Sequence, residues 1–353
     1  MKKAKFLGIF ILAVWLLSGC SQVLERHTMR ILAFGTWVDI TVFVDRTVDK
    51  AVLQQQLQTE LHQMHKDWHA WHPSELTRLN EAFEQGKAVT VDAQMLGLLK
   101  LSQQLEVASD GYFDAGIGKL LKLWGFQRDD PFNVDQLPDP KALQALMAKP
   151  ASTLQMHFEG NLVSSPNPIV ALDFGGFGKG FGIDLLIEQL KKQGINNALM
   201  NAGGDLRAIG VAGDRPWKIG IRDPHKESPL AILSLSGDVS VFTSGDYERG
   251  YTIDGVHYHH ILNPKTGYPA HGIASATVIG DKGAWMDAAA TTMLIAGVEQ
   301  AFSIAPKMGV KHLLLVTDDG KIYLDKEMLP LLTFNDNQKS LNFRSFSNEP
   351  TKH

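Results

Sequence analysis

The sequence predicts an α+β fold. Strand-like apolar runs are joined mostly by short Gly- and Asp-rich turns, the chemistry of hairpins, whereas parallel strands need a long crossover between each pair. Helix-length amphipathic stretches interleave with these runs but lack the regular strand–helix alternation of a doubly wound parallel sheet. With 353 residues, 44% hydrophobic and 20% charged, the chain is long enough to bury one large core or two lobes.

The elements follow in order. MKKAKFLGIFILAVWLLSGC carries lysines at 2, 3 and 5, then an apolar run from Phe6 to Leu17, too short for an ordinary spanning helix. Its end, Leu17-Ser18-Gly19-Cys20, resembles the bacterial lipobox. That resemblance predicts a signal peptide over 1–19, lipidation of Cys20 and a tether over 20–29. Cys20 is the only cysteine, so an internal disulfide, a thiol nucleophile elsewhere and a cysteine-built metal site are all excluded. The body is expected over 30–335. Arg30 opens the run RILAFGTWVDITVFV, in which Thr36 to Val44 alternate as a half-buried strand does. A helix is predicted from about Asp49 to Trp68, then a loop containing HAWHPSELTRLNEA, then a helix over 93–109. A polar insertion follows at roughly 128–140.

Residues 168–194 read as strand, glycine loop and helix, the helix being GIDLLIEQLKKQ stopped by Gly194. ALMNAGGDLRAIG reads as a hairpin around Gly203-Gly204. Several short strands are expected over 216–281, with turns at Asp254-Gly255 and Lys265-Thr266-Gly267. WMDAAATTMLIAGVEQAFSIAP reads as a helix, and HLLLVTDDGKIYLDK as a closing hairpin. The polar tail over 336–353 is expected to be loose. A net charge of −4 with no basic stripe excludes nucleic acid as a partner.

Four stretches carry candidate chemistry. ALDFGGFGKGFGID (171–184) holds five glycines around Lys179. It is not a Walker A loop, because Gly180 follows Gly178-Lys179, and Phe181 breaks the dinucleotide fingerprint. Two readings stay open: an anion cradle at a helix start, or a tight turn that needs positive φ. Asp287 and Thr291 share a helix face at i and i+4 with alanines between them, and two hard oxygens suit Mg²⁺. Taken alone, they are better explained by an Asp satisfying backbone N–H groups and a Thr bonded to its own i−4 carbonyl. His257 and His259 share one strand face and His260 takes the other, which offers a proton carrier near neutral pH. NAGGDLR (201–207) is best read as a turn with satisfied polar ends.

Together these motifs resemble the ApbE-type flavin transferases. The resemblance runs from Phe34-Gly35-Thr36 to about Gly297. It includes Ser74-Glu75-Leu76 to Leu79-Asn80, Gly111-Tyr112-Phe113-Asp114, Leu123-Trp124-Gly125-Phe126, Asp173 to Asp184, Asn201 to Arg207, Thr243 to Arg249, His260 to Gly267, and Asp287 to Thr291. It implies mixed and antiparallel sheets with flanking helices, in a two-lobed single unit with the FAD site between the lobes. It also implies FAD as substrate and Mg²⁺ as cofactor, with FMN moved onto a Thr or Ser of an acceptor such as a redox-pump subunit and AMP released.

Residue by residue, the resemblance assigns the metal to Asp287, Thr291 and the Gly178 carbonyl, where an alanine is usual in place of Gly178 and some members carry Asp in place of Thr291. It assigns the base to His260, with Asp287 as the rival. Flavin contacts fall on Phe34 (usually Met), Trp71, Asp114, Phe181 and Ile261. Lys179 would neutralise phosphate and Asp205 would support the loop. A lipid-anchored enzyme facing the periplasm is implied, with the inner membrane favoured. Two other readings share these residues: a Mg²⁺-dependent FAD diphosphatase, and a non-enzymatic flavin-binding lipoprotein.

Overall fold

The computed structural model describes residues 24–335 and 340–346. The expected signal peptide, Cys20, the start of the tether and most of the tail lie outside the described residues. In chain order the first elements are β1 (Glu25–Ala33), β2 (Thr36–Val44), α1 (Lys50–Asp67), α2 (Glu75–Glu84), β3 (Val89–Thr90), α3 (Ala93–Ala108), α4 (Gly118–Leu123) and α5 (Pro140–Ala148). Next come β4 (His157–Glu159), β5 (Leu162–Ser164), α6 (Gly178–Lys192), β6 (Ala198–Ala202), β7 (Asp205–Ile209), β8 (Trp217–Arg222), β9 (Pro229–Leu235) and β10 (Val239–Gly245). The rest are β11 (Gly250–Ile253), β12 (Val256–His259), β13 (Ile273–Gly280), α7 (Gly283–Ile304), β14 (His312–Thr317), β15 (Ile322–Asp325), β16 (Leu332–Phe334) and β17 (Leu341–Arg344).

The frame is a nine-stranded sheet in the order β1-β2-β6-β7-β10-β13-β14-β15-β17, antiparallel except for the β15/β17 pair. This is the expected α+β class. One sheet face is covered by α1, α3, α6 and α7, which share the large core of Leu57, Leu61, Phe83, Leu98, Phe177 and Met293. The other face packs on the small β16-β9-β8 sheet through Trp217, Leu233 and Leu314. A third, smaller core of Leu120, Trp124, Phe126, Tyr251 and Leu262 carries the β11–β12 ribbon beside the main body.

Three two-residue turns close hairpins, and each has positive φ at both turn residues, as the right-handed twist of the flanking strands requires. Gly203-Gly204 (67° and 108°) and Asp254-Gly255 (52° and 77°) were legible as turn chemistry. Phe34-Gly35 (52° and 72°) was not, because a phenylalanine rarely adopts the left-handed region. It is held there by donating its N–H to His65 Nδ1 at 3.1 Å.

Several boundaries differ from expectation. β1 starts at Glu25, inside the expected tether, because it pairs with β2 along its full length. The expected loop at HAWHPSELTRLNEA contains α2, started by a reciprocal capping box between Ser74 and Thr77. Residues 168–172 form only an isolated bridge, Ile117 to Ala171, rather than a strand. Leu341–Arg344 in the tail adds the edge strand β17. Gly297 (φ 72°, ψ 173°) breaks α7.

The most consequential difference is at the glycines. α6 begins at Gly178, four residues before the expected start, so three of the five glycines are helical. None of the five has positive φ among the described residues, which removes the tight-turn reading. They are small because something lies against them. A Cβ on Gly180 would stand 2.3 Å from the Gly283 carbonyl oxygen, and one on Gly176 would stand 2.8 Å from the Phe113 ring. At Gly178 a Cβ would meet Phe174 Cβ at 3.2 Å and the Trp68 ring at 3.9 Å, and no backbone atom. Gly180→Ala is therefore expected to cost about 3 kcal/mol or more, and Gly178→Ala less than about 1 kcal/mol. Urea unfolding of both variants measures the difference; equal losses would show that the α6–α7 approach is not the constraint.

Candidate active site

α6 and α7 meet at their N-terminal turns. The contact is reciprocal, since a Cβ on Gly283 would stand 2.7 Å from the Gly180 carbonyl oxygen. Asp184 fixes the junction by accepting from the Gly283 N–H (2.7 Å) and the Ala284 N–H (3.0 Å), and its charge is matched by Arg207 at 2.7 Å. One turn on, Asp287 reaches across and accepts from the Gly180 N–H at 2.9 Å. Asp287 thus satisfies an N–H of the neighbouring helix rather than of its own. Thr291 Oγ1 lies 3.4 Å from the Asp287 carbonyl oxygen and 3.1 Å from Ser244 Oγ of β10.

Lys179 ties the glycine segment to the sheet. Its Nζ stands 3.5 Å from Asp287 Oδ1, 3.2 Å from Asp205 Oδ2 and 3.3 Å from the Gly175 carbonyl. Asp205, at the start of β7, also accepts from the Thr243 N–H at 3.2 Å, so it supports the lysine from behind. Burial pushes Asp287 up to about 7, against the opposing pull of Lys179, with Asp205 adding repulsion. Burial likewise raises Asp205 and Glu248. Burial alone would lower Lys179, but Asp287, Asp205 and Glu248 outweigh it and hold the ammonium raised. Three carboxylates therefore bear on one half-buried ammonium, with Arg249 acting on the Glu248 side.

This excess of negative charge suits a divalent cation. Asp287 and Thr291 supply hard oxygens four residues apart on α7, and Asp287 reaches the first turn of α6, to which Gly178 belongs. Among the described residues no three His, Cys, Asp or Glu side chains converge as a metal site, and the expected ligand set contains only one of these types. The His257/His259 face is not a metal site. His257 Nε2 lies 3.1 Å from the Asp246 carbonyl, and His259 Nε2 is bonded to the Ala270 carbonyl at 2.6 Å.

His260 follows β12 and lies in the field of Lys179, which helps to lower it. Its Nδ1 lies 3.2 Å from the Arg249 carbonyl, which can only accept, so the proton sits on Nδ1 and the Nε2 lone pair is free. Burial, then Arg249, pushes it down to about 3, so it is neutral at working pH. Phe126 backs the ring at 6.4 Å, which makes the third core the support for this group. The Arg249 guanidinium lies 3.2 Å from the place of a Cβ on Gly35, so the Phe34-Gly35 turn adjoins the same cluster.

The expected flavin contacts are distributed unevenly. Phe34 stacks on Trp68 (5.9 Å, 12°) and crowds Gly182. Phe181 also meets Trp68 (5.8 Å) but lies two residues from Lys179, hence on the opposite side of α6, where it lines a cavity of about 520 Å³ with Trp285 and Lys100. Trp71 is exposed enough to donate its ring N–H to Asp129 at 3.0 Å. Asp114 is buried, accepts from the Gly116 N–H at 2.7 Å and is pushed up to about 7 by burial and by Glu106. Ile261 is buried, with its N–H on His259 Nδ1. No described contact brings Asp114 or Ile261 to the Phe34–Trp68 group. Sequence reasoning did not single out Trp68, Ser244, Glu248 or Arg249, although the last three lie inside the Thr243–Arg249 motif.

The ApbE family model matches residues 34–314. The chain belongs to the ApbE family. Over 325 residues it is 35% identical to the FAD:protein FMN transferase of Rhodobacter capsulatus, covering 91% of this chain but only 62% of that longer protein. It is 29% identical to the FAD:protein FMN transferase of Vibrio cholerae over 92% of this chain and 98% of that protein. The ApbE protein of Thermotoga maritima superposes with a TM-score of 0.79 at 30% identity, covering 87% of this chain and 99% of that one. The flavin transferase ApbE of Vibrio cholerae superposes with a TM-score of 0.77 at 28% identity, with the same coverages.

His259, beside the ApbE-type site, gives a pH test. Burial holds it down to about 4, below its unfolded value near 6.5. The unfolded chain then takes up a proton first, so the stability His259 permits is complete above about 6.5 and is lost as pH falls toward 4. Between pH 7.5 and 5 the native protein is expected to lose about 1–2 kcal/mol more than His259→Gln. The comparison between the two proteins cancels the opposite pH trend of Asp114 and Asp287. Parallel pH profiles would overturn the assignment.

Proposed function

We propose that this chain transfers FMN from FAD to a Thr or Ser hydroxyl of an acceptor protein and releases AMP. The observation that carries this reading is the cluster of Asp287, Lys179 and neutral His260, in a chain whose named relatives are FAD:protein FMN transferases. Asp287, Thr291 and the Gly178 carbonyl would hold Mg²⁺, which when bound neutralises charge on the pyrophosphate. Lys179 places an ammonium beside the same anion. His260 Nε2 takes the proton of the acceptor hydroxyl as its oxygen bonds to the FMN phosphorus. The bond from that phosphorus to the bridging oxygen breaks, and AMP leaves with that oxygen. Water in place of the hydroxyl would give FMN and AMP through the same groups. A subunit of a membrane redox pump fits as acceptor, because the lipobox-like Cys20 would tether the enzyme at the periplasmic face of the inner membrane.

Two experiments test this. The soluble body is incubated with FAD, Mg²⁺ and a threonine-bearing domain of a redox-pump subunit, and the acceptor's intact mass is recorded. A gain of one FMN residue is expected, lost with EDTA or with Asp287→Ala, and slowed about 10²–10⁴-fold by His260→Ala with FAD binding retained. Conversion of FAD to FMN and AMP without a mass gain would favour the diphosphatase reading. Unchanged, bound FAD would sink the catalytic role of His260. Separately, Cys20→Ala is expected to move the full-length protein from the membrane fraction to the soluble periplasmic fraction; unchanged sedimentation would overturn the lipid anchor.

A further inference from the structure

Four rings form a file along the end of α1 and the segment after it. Phe34 meets His65 edge-on at 6.2 Å, His65 meets His69 at 5.5 Å, and His69 meets Trp71 edge-on at 4.5 Å. All four side chains are partly open to solvent, unlike the buried Trp68 behind them. The file adjoins the charged cluster, because Arg249 abuts the Phe34-Gly35 turn and Phe34 presses on Gly182 of α6.

The two imidazoles have fixed tautomers. His65 Nδ1 accepts the Phe34 N–H at 3.1 Å. His69 Nδ1 accepts the His72 N–H at 3.1 Å and lies 3.4 Å from the Trp71 N–H. A backbone N–H can only donate, so each Nδ1 is the unprotonated nitrogen and each Nε2 carries the hydrogen. Burial, reinforced by the neighbouring histidines, lowers both groups, so they stay neutral near pH 7. Among the described residues no acceptor bonds either Nε2–H, and neither is among the buried unpartnered atoms, so both are presented to whatever enters.

We propose that His65 and His69 are a pair of N–H donors, set between the rings of Phe34 and Trp71, that bind the acceptor-rich edge of a planar heteroaromatic ring. Stacking on the outer rings supplies apolar contact, and the two N–H groups require lone pairs at the edge of the guest. On the FAD reading, on which this inference rests, that guest is the oxidised isoalloxazine, whose ring nitrogens and carbonyls provide such acceptors. His65 and His69 then fix which end of FAD lies at the ring file, leaving the pyrophosphate at Lys179.

The test separates the two nitrogens of each imidazole. Asparagine keeps an acceptor near the Nδ1 position and removes the Nε2 donor; glutamine places an N–H near Nε2 and removes the Nδ1 acceptor. Binding of FAD, riboflavin and ADP to the soluble body is measured by fluorescence and calorimetry, with a thermal melt of each variant. His65→Asn and His69→Asn are each expected to weaken FAD and riboflavin about tenfold, leave ADP unchanged and melt within a few degrees of the parent. His69→Gln is expected to recover part of the riboflavin affinity. Asn variants that bind both flavins as the parent does, or that weaken ADP equally, would overturn the proposal while leaving the FAD reading intact. A parent protein that binds no FAD would instead overturn the reading on which the proposal rests.

Discussion

The backbone-to-backbone contact of Gly180 with Gly283 is the constraint on which the site depends. Two helices usually keep their axes 8–10 Å apart because side chains intervene. Here both residues at the crossing lack a side chain, and each would drive a Cβ into the other's carbonyl. The close approach lets Asp287 of one helix accept an N–H from the first turn of the other. It also brings the first turns of the two helices together, with the Gly283 and Ala284 N–H groups taken by Asp184 and the Gly180 N–H by Asp287. The composition of the glycine segment is thus dictated by packing. The tight-turn reading falls, and the cause found at the glycines is one that neither reading contained.

Charge is placed on that junction in a deliberate order. Arg207 neutralises Asp184, which holds the two helix starts together from the side away from Asp287. Lys179 faces Asp287 and Asp205 within 3.5 Å, so a half-buried ammonium sits beside two carboxylates. Burial raises Asp287, Asp205 and Glu248 alike, and Lys179 opposes it at each of them. Buried like charges of this kind are costly until a cation arrives.

Histidines do three different jobs, and hydrogen-bond geometry distinguishes them. His259 is a buried structural group bonded to Ala270. His260, its neighbour in sequence, has its hydrogen on Nδ1 and a free lone pair on Nε2. His65 and His69 are the reverse, with lone pairs used by backbone N–H groups and hydrogens on Nε2. The arrangement at His260 suits a base, and that at His65 and His69 a donor. His65 also holds Phe34 in the left-handed conformation that its hairpin turn imposes, so this hydrogen bond helps to tie the aromatic file to the main sheet.

Much of the framework was legible because it is local. Alternation from Thr36 to Val44, the helices near 49–68 and 93–109, and the turns at Gly203-Gly204 and Asp254-Gly255 express side-chain period and φ preference, which short windows contain. The placing of Asp287 and Thr291 on one helix face was legible for the same reason. The tertiary structure alone decided that α6 starts at Gly178, that Gly180 exists for Gly283 over a hundred residues away, and that Phe34 occupies a turn a glycine or asparagine would normally fill. It also decided which nitrogen of each histidine is free. A missing Cβ announces that something comes close without saying what, and an imidazole's tautomer is set by partners distant in sequence. Such information resides in contacts between elements, and no local window of the chain contains it.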